Sequence, residues 1–60
     1  MLVRADFERI APGTLWCSKN GEDFRYCTGL RGPHMLHINR EKQKVGGIQE
    51  ALRLCNDHLS

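Results

Sequence analysis

The chain lacks any apolar run approaching the roughly 20 residues a membrane span requires, consistent with its mean hydropathy of −0.51. It contains no internal repeat and no low-complexity tract. Aliphatic and aromatic residues recur along its whole length, as in a folding chain and not a disordered one. An N-terminal secretory signal is not expected either, because Arg4, Asp6, Glu8 and Arg9 interrupt the segment where an apolar h-region would lie. Cysteine is odd in number, at 3. A disulfide framework is therefore not expected, and a reducing cytoplasm is the expected location. No Ser-His-Asp grouping, carboxylate pair or phosphate-binding loop stands out. A chain of 60 residues also leaves little room beside its core for a pocket of a few hundred Å³. The expectation is a protein that is not an enzyme and needs no cofactor.

Sixty residues are expected to make one domain, residues 1–60, and the expectation is a free-standing small protein, since no linker or tail suggests excision from something larger. At this size only about 60% of the unfolded surface is buried, so stability is marginal. A staple, a metal or a partner usually makes up the difference.

What the sequence does have is a hairpin signal. Asn20-Gly21 suits a two-residue type I′ turn, which needs positive φ at both central positions. That turn sets Lys19 opposite Glu22, Cys17 opposite Phe24, Trp16 opposite Arg25 and Leu15 opposite Tyr26. Alternation then gives one apolar face, with Leu15, Cys17, Phe24 and Tyr26. The other face carries Thr14, Trp16, Ser18, Asp23, Arg25 and Cys27.

After a loop at 29–33, the segment His34–Asn39 alternates as a third strand, with Leu36 and Ile38 on one side and Met35, His37 and Asn39 on the other. Residues 40–44 read as a solvated connection. Ile48, Ala51, Leu52, Cys55 and Leu59 form one apolar stripe, which predicts a helix from about Ile48 to His58. Gly47 is its expected N-cap, and Glu50 is placed to complement the exposed amides. Residues 1–11 fit both a short strand (Val3, Ala5, Phe7) and a short helix (Phe7, Ile10, Ala11), ended by Pro12-Gly13.

The expected fold is α+β: a small three-stranded antiparallel sheet, with a fourth N-terminal strand as an option, and one C-terminal helix packed on one face. Its core would be Leu15, Cys17, Phe24, Tyr26, Leu36, Ile38, Ile48, Ala51, Leu52, Cys55 and Leu59. The order of three strands and a helix resembles, in topology alone, AP2-type and integrase N-terminal DNA-binding modules, whose sheet lies in the major groove. Here only Arg25 clearly projects from the hairpin's polar face, with Asp23 on the same strand, and the chain is not assigned to that family.

Two candidate sites follow. On the outer face, Trp16, Arg25, Met35 and His37 form a candidate partner-binding surface, since Trp and Arg dominate interface hot spots and exposed apolar patches mark interfaces. Leu30 and Leu54 add apolar surface beyond what one helix covers. The competing reading folds residues 1–11 across this face and makes Trp16 core against Val3, Phe7 and Ile10. The second candidate is basic: Arg31, Arg40, Lys42 and Lys44 give residues 31–45 a local net charge of +3. They precede a glycine-rich helix N-terminus, where anions are attracted; a plain solvated linker is the alternative. A metal site at Cys17, Cys55 and His58 with His34 is conceivable, but lacks the tight ligand pairs of structural zinc sites, and buried cysteines acting as small hydrophobes fit better.

The expected function is accordingly a small non-catalytic protein-interaction module that self-associates or docks on a larger machine. Compact chains of this kind commonly act as regulators, inhibitors or accessory factors, phage and mobile-element products among them. The alternative is a nucleic-acid-binding protein using the basic segment.

Overall fold

The computed structural model describes residues 1–28 and 32–60. A short 3₁₀ turn at Arg4–Asp6 leads into β1 (Glu8–Ala11), β2 (Thr14–Lys19), β3 (Glu22–Cys27), β4 (His34–Ile38), β5 (Glu41–Val45) and α1 (Ile48–Leu59). The strands form one antiparallel sheet in the order β1-β2-β3-β4-β5. Each strand pairs with its neighbour in sequence, so every connection is short and no crossover is needed.

The β2–β3 hairpin has the expected register, from Lys19 opposite Glu22 to Thr14 opposite Cys27. Its tip holds Asn20 at φ 54° and Gly21 at φ 78°, the positive pair that a type I′ turn demands. In β4, Leu36 lies opposite Tyr26 and His37 opposite Arg25, so the alternation read from 34–39 carries through. Helix α1 begins at the expected residue, with Gly47 at its N-cap. The Gly46 N–H donates to Glu50 Oε2 at 2.9 Å, so the chain's own carboxylate sits at this helix N-terminus.

The sheet has five strands, not three or four. Residues 41–45 are a strand, not a solvated connection, with Lys42 opposite His37 and Val45 opposite His34. All of β5 but Val45 is exposed, as suits a charged edge strand whose lysines discourage pairing with other chains. The turn into β5 is made by Asn39 at φ 58°, one of the residue types that tolerates the left-handed region. Asn39 is held from both sides: its N–H donates to the Asp23 carbonyl at 2.7 Å, and its Oδ1 accepts from the Asp23 N–H at 3.1 Å.

The ambiguity of residues 1–11 resolves as a 3₁₀ turn followed by a strand, with Glu8 opposite Trp16 and Arg9 opposite Leu15. The ladder slips between Arg9 and Ala11, a bulge that leaves Ile10 59% exposed.

The core lies between the sheet and α1. Cys17, Phe24, Tyr26, Leu36, Ala51, Leu52 and Cys55 are buried there, and Leu15, Ile38, Ile48 and Leu59 are partly buried against them. Leu2, Phe7 and Val45 belong to the same core and were not among the expected set. The N-terminal segment reaches the core because Asn56 clamps it to the helix. Asn56 Oδ1 accepts from the Leu2 N–H, while its Nδ2 donates to the Leu2 carbonyl at 2.9 Å. One side-chain amide thus satisfies both polar groups of a backbone unit and buries the Leu2 side chain beside it.

That clamp decides the fate of the sheet's other face. Residues 1–7 run on the helix side, so they do not cross over Trp16, and Val3 and Ile10 stay exposed. Trp16 is half-buried on the outer face, opposite Glu8 on one side and Arg25 on the other.

Candidate functional surface on the outer sheet face

Both covering layers, α1 and the N-terminal segment, pack on the same side of the sheet, and the register spells out what the opposite side presents. One line of directly opposed residues crosses all five strands: Glu8, Trp16, Arg25, His37 and Lys42. With strands about 4.8 Å apart, the line is about 19 Å long. A second line runs beside it through Thr14, Cys27, Met35 and Lys44. Trp16, Met35, His37 and Cys27 are half-buried and Arg25, Lys42 and Lys44 are exposed.

The structure therefore brings Trp16, Arg25, Met35 and His37 onto one face, and adds Lys42 and Lys44 to it. Arg40 stands in the β4–β5 turn, where it lines a shallow depression with Asp23, Arg25, His37 and Asn39. Arg31 and Leu30 fall outside the described residues. Leu54 packs partly against the core, so it does not contribute to the outer face. Of the basic candidate, Lys42 and Lys44 thus share the face of the first, while the helix N-terminus is occupied by Glu50.

Electrostatics on this face are unbalanced. Arg25 and Lys42 oppose His37 directly from the two neighbouring strands, so a protonated His37 stands between like charges, an arrangement that weakens a sheet. Among the described residues the ion pairs are Arg53–Asp57 on the helix and His58–Glu22 near the hairpin tip, so neither draws on this row. Asp23 lies nearby, but its Oδ1 accepts from the Ser18 hydroxyl at 2.6 Å. His37 registers the imbalance: partial burial, and then the charges of Arg25 and Lys42, hold its pKa below the usual 6.5.

The sign of the consequence follows from linkage. Between the lowered folded value and 6.5, the unfolded chain binds more protons than the folded one, so stability rises with pH. The contribution of His37 is fully present above pH 6.5 and is lost as pH falls through the folded value. Replacing His37 by glutamine is expected to flatten the pH dependence of urea-denaturation midpoints between about pH 7 and pH 5 relative to wild type. Superimposable profiles for the two proteins would show that the charged row exerts no such pressure.

The residues weighed as metal ligands have other partners. His34 Nδ1 lies 2.8 Å from the Tyr26 hydroxyl, and the two rings stack with an interplanar angle of 7°. His58 Nε2 hydrogen-bonds Glu22, its ring edge-on to Phe24. Cys17 and Cys55 are buried in the core as free thiols. Burial pushes the Cys55 thiol up to about 11 and raises that of Cys17 as well, which keeps both protonated and inert at neutral pH. Among the described residues no three His, Cys, Asp or Glu side chains gather as a metal site would require.

A groove of about 740 Å³ opens between the β4–β5 hairpin and the end of α1, lined by Ile38, Asn39, Glu41, Gln43 and His58 among others. It mixes the charges of Asp23 and Glu41 with those of Arg40 and Lys42, and it is roomier than the chain length leads one to expect. Among the described residues no helix is long and apolar enough to cross a membrane. Comparison of the chain with protein-family models, with curated proteins and with solved structures gives no match.

Proposed function

We propose that this protein is a small non-catalytic interaction module that docks a protein partner on the outer face of its sheet, around Trp16 and Arg25. The observation that carries this reading is a sheet face over which none of the described elements packs, whose centre holds Trp16, Arg25, Met35 and His37 and whose margin holds Glu8, Lys42 and Lys44. Aromatic, Met and Arg residues at the centre with charged residues at the rim is the composition of protein–protein interfaces. The partner's complementary surface is acidic opposite Arg25, His37 and Lys42. Its carboxylates relieve the like-charge row and favour protonation of His37, so binding tightens as pH falls toward 6.

A second reading has an observation of its own. Because β5 is a strand, Lys42 and Lys44 flank the same face as Trp16 and Arg25, and a stacking aromatic among cations also suits single-stranded nucleic acid.

The test uses immobilised wild-type protein, Trp16→Ala and Arg25→Glu against nuclease-treated lysate. In parallel, the fluorescence of Trp16 is titrated with a mixed-sequence oligonucleotide at low and high salt. Retention of a protein by the wild type, lost in both variants while their circular dichroism is unchanged, supports the protein reading. Loss of a hot-spot side chain should weaken such a complex about 30-fold or more. A fluorescence response that fades steeply with salt transfers the face to nucleic acid. Capture unaffected by either substitution, with no fluorescence response, removes the outer face from consideration.

A further inference from the structure

On the opposite side of the sheet, Arg9 is out of place. It lies opposite Leu15 in the β1–β2 ladder, and Leu15 lies opposite Tyr26, so this cation is on the side that faces the core. Arg4, from the 3₁₀ turn, approaches the same spot: its charge acts on the Tyr26 hydroxyl and partly offsets the upward push of burial on that group. Between the two arginines is a cavity of about 170 Å³, lined also by Leu15, Tyr26, Thr28 and Ile48.

Its chemistry selects a class of ligand. Two arginines from different elements line it, and among the described residues neither Arg4 nor Arg9 is in an ion pair. Arginine presents a planar fork of donors suited to phosphate oxygens. Tyr26, a buried residue of the lining, has its hydroxyl 2.8 Å from His34 Nδ1. Where His34 carries its proton on Nδ1, the tyrosine accepts from it and its own proton is free for an oxyanion. Leu15, Ile48 and the Tyr26 ring supply an apolar wall. The volume is that of about five or six liquid waters, which holds a tetrahedral oxyanion and a few carbons.

We propose that this pocket binds a small phosphomonoester, with Arg4 and Arg9 gripping the phosphate and Leu15 and Ile48 contacting the organic group. The site is on the other side of the sheet from the proposed docking face, so it stands or falls independently of that face.

The experiment titrates ¹⁵N-labelled full-length protein with inorganic phosphate, glycerol 3-phosphate and phenyl phosphate at low ionic strength. It follows the Nε signals of Arg4 and Arg9 and the amides of Gly13, Thr28 and Ile48. Localised shifts with phenyl phosphate as the tightest probe are expected. Arg4→Gln and Arg9→Gln, both at exposed positions, should each weaken binding about tenfold or more, and Arg9→Lys, which keeps charge but loses the fork, by less. Equal affinity for inorganic phosphate overturns the monoester assignment. Shifts confined to Arg25, Lys42 and Lys44, or none at about 10 mM probe, a concentration that would detect even millimolar affinity, overturn the pocket itself.

Discussion

Phe24→Ala is expected to remove about 3–5 kcal/mol of stability, the largest loss for any single side chain of the core. Phe24 is 0% exposed and occupies the middle strand of five, opposite Cys17 on one side and Ile38 on the other. Its ring also meets that of His58 edge-on at 6.3 Å, tying the sheet to the end of α1. Truncating a fully buried phenylalanine costs about 3–5 kcal/mol, partly as lost transfer energy and partly as the cavity left behind. A chain of this length has about 3–9 kcal/mol of stability in all, so one side chain outweighs much of it. Urea denaturation followed by circular dichroism is the check. A cooperative transition within about 1 kcal/mol of wild type would mean that the core does not depend on this ring.

The second large effect is expected at Gly13. Its φ is +77°, and a Cβ there would lie 2.5 Å from the Thr28 carbonyl oxygen and 3.2 Å from its hydroxyl. The same junction carries two hydrogen bonds to the Gly13 carbonyl, from the Thr28 N–H and from the Thr28 hydroxyl at 2.8 Å. Gly13→Ala therefore incurs left-handed strain of about 1–2 kcal/mol and must displace the backbone that makes those bonds, each worth about 1 kcal/mol. A loss of about 3–4 kcal/mol is expected. Gly21 is the internal control. Its φ is +78°, but a Cβ there meets nothing within 4 Å, so Gly21→Ala should cost only the strain. Equal losses at the two glycines would show that the approach of Thr28 contributes nothing.

How much of this was legible depended on whether the signal was local. Asn20-Gly21 names its own turn type, and the turn dictates the pairing of every residue from Thr14 to Cys27. The stripe of Ile48, Ala51, Leu52, Cys55 and Leu59 is local in the same sense. Strand β5 was hidden because an exposed edge strand buries only its last residue, so Glu41 to Lys44 show no apolar alternation. The available clue was Asn39 ahead of it, a residue that tolerates positive φ. Leu2 and Phe7 were hidden for another reason. Their burial depends on a hydrogen bond between residues 54 positions apart, which no window along the sequence contains.

The candidate surfaces divide similarly. Trp16, Arg25, Met35 and His37 share a face by simple alternation within recognised strands. Lys42 and Lys44 join them only once β5 is a strand, and that brings part of the basic candidate onto the same surface. The pairing of Arg4 with Arg9 was out of reach, since it depends on a 3₁₀ turn and on the ladder position ahead of a bulge.

The amide of Asn56 has one more implication. By joining Leu2 to the last helix it makes the fold nearly a closed loop in sequence, with each strand beside its predecessor and the start of the chain beside its finish. A topology of that kind can be opened at an exposed loop tip. Joining residue 60 to residue 1 through a short flexible linker and opening the chain between Asn20 and Gly21 would put the new ends at an exposed tip while keeping every layer in place. The outer face would then be displayed on a scaffold whose order of synthesis is entirely different.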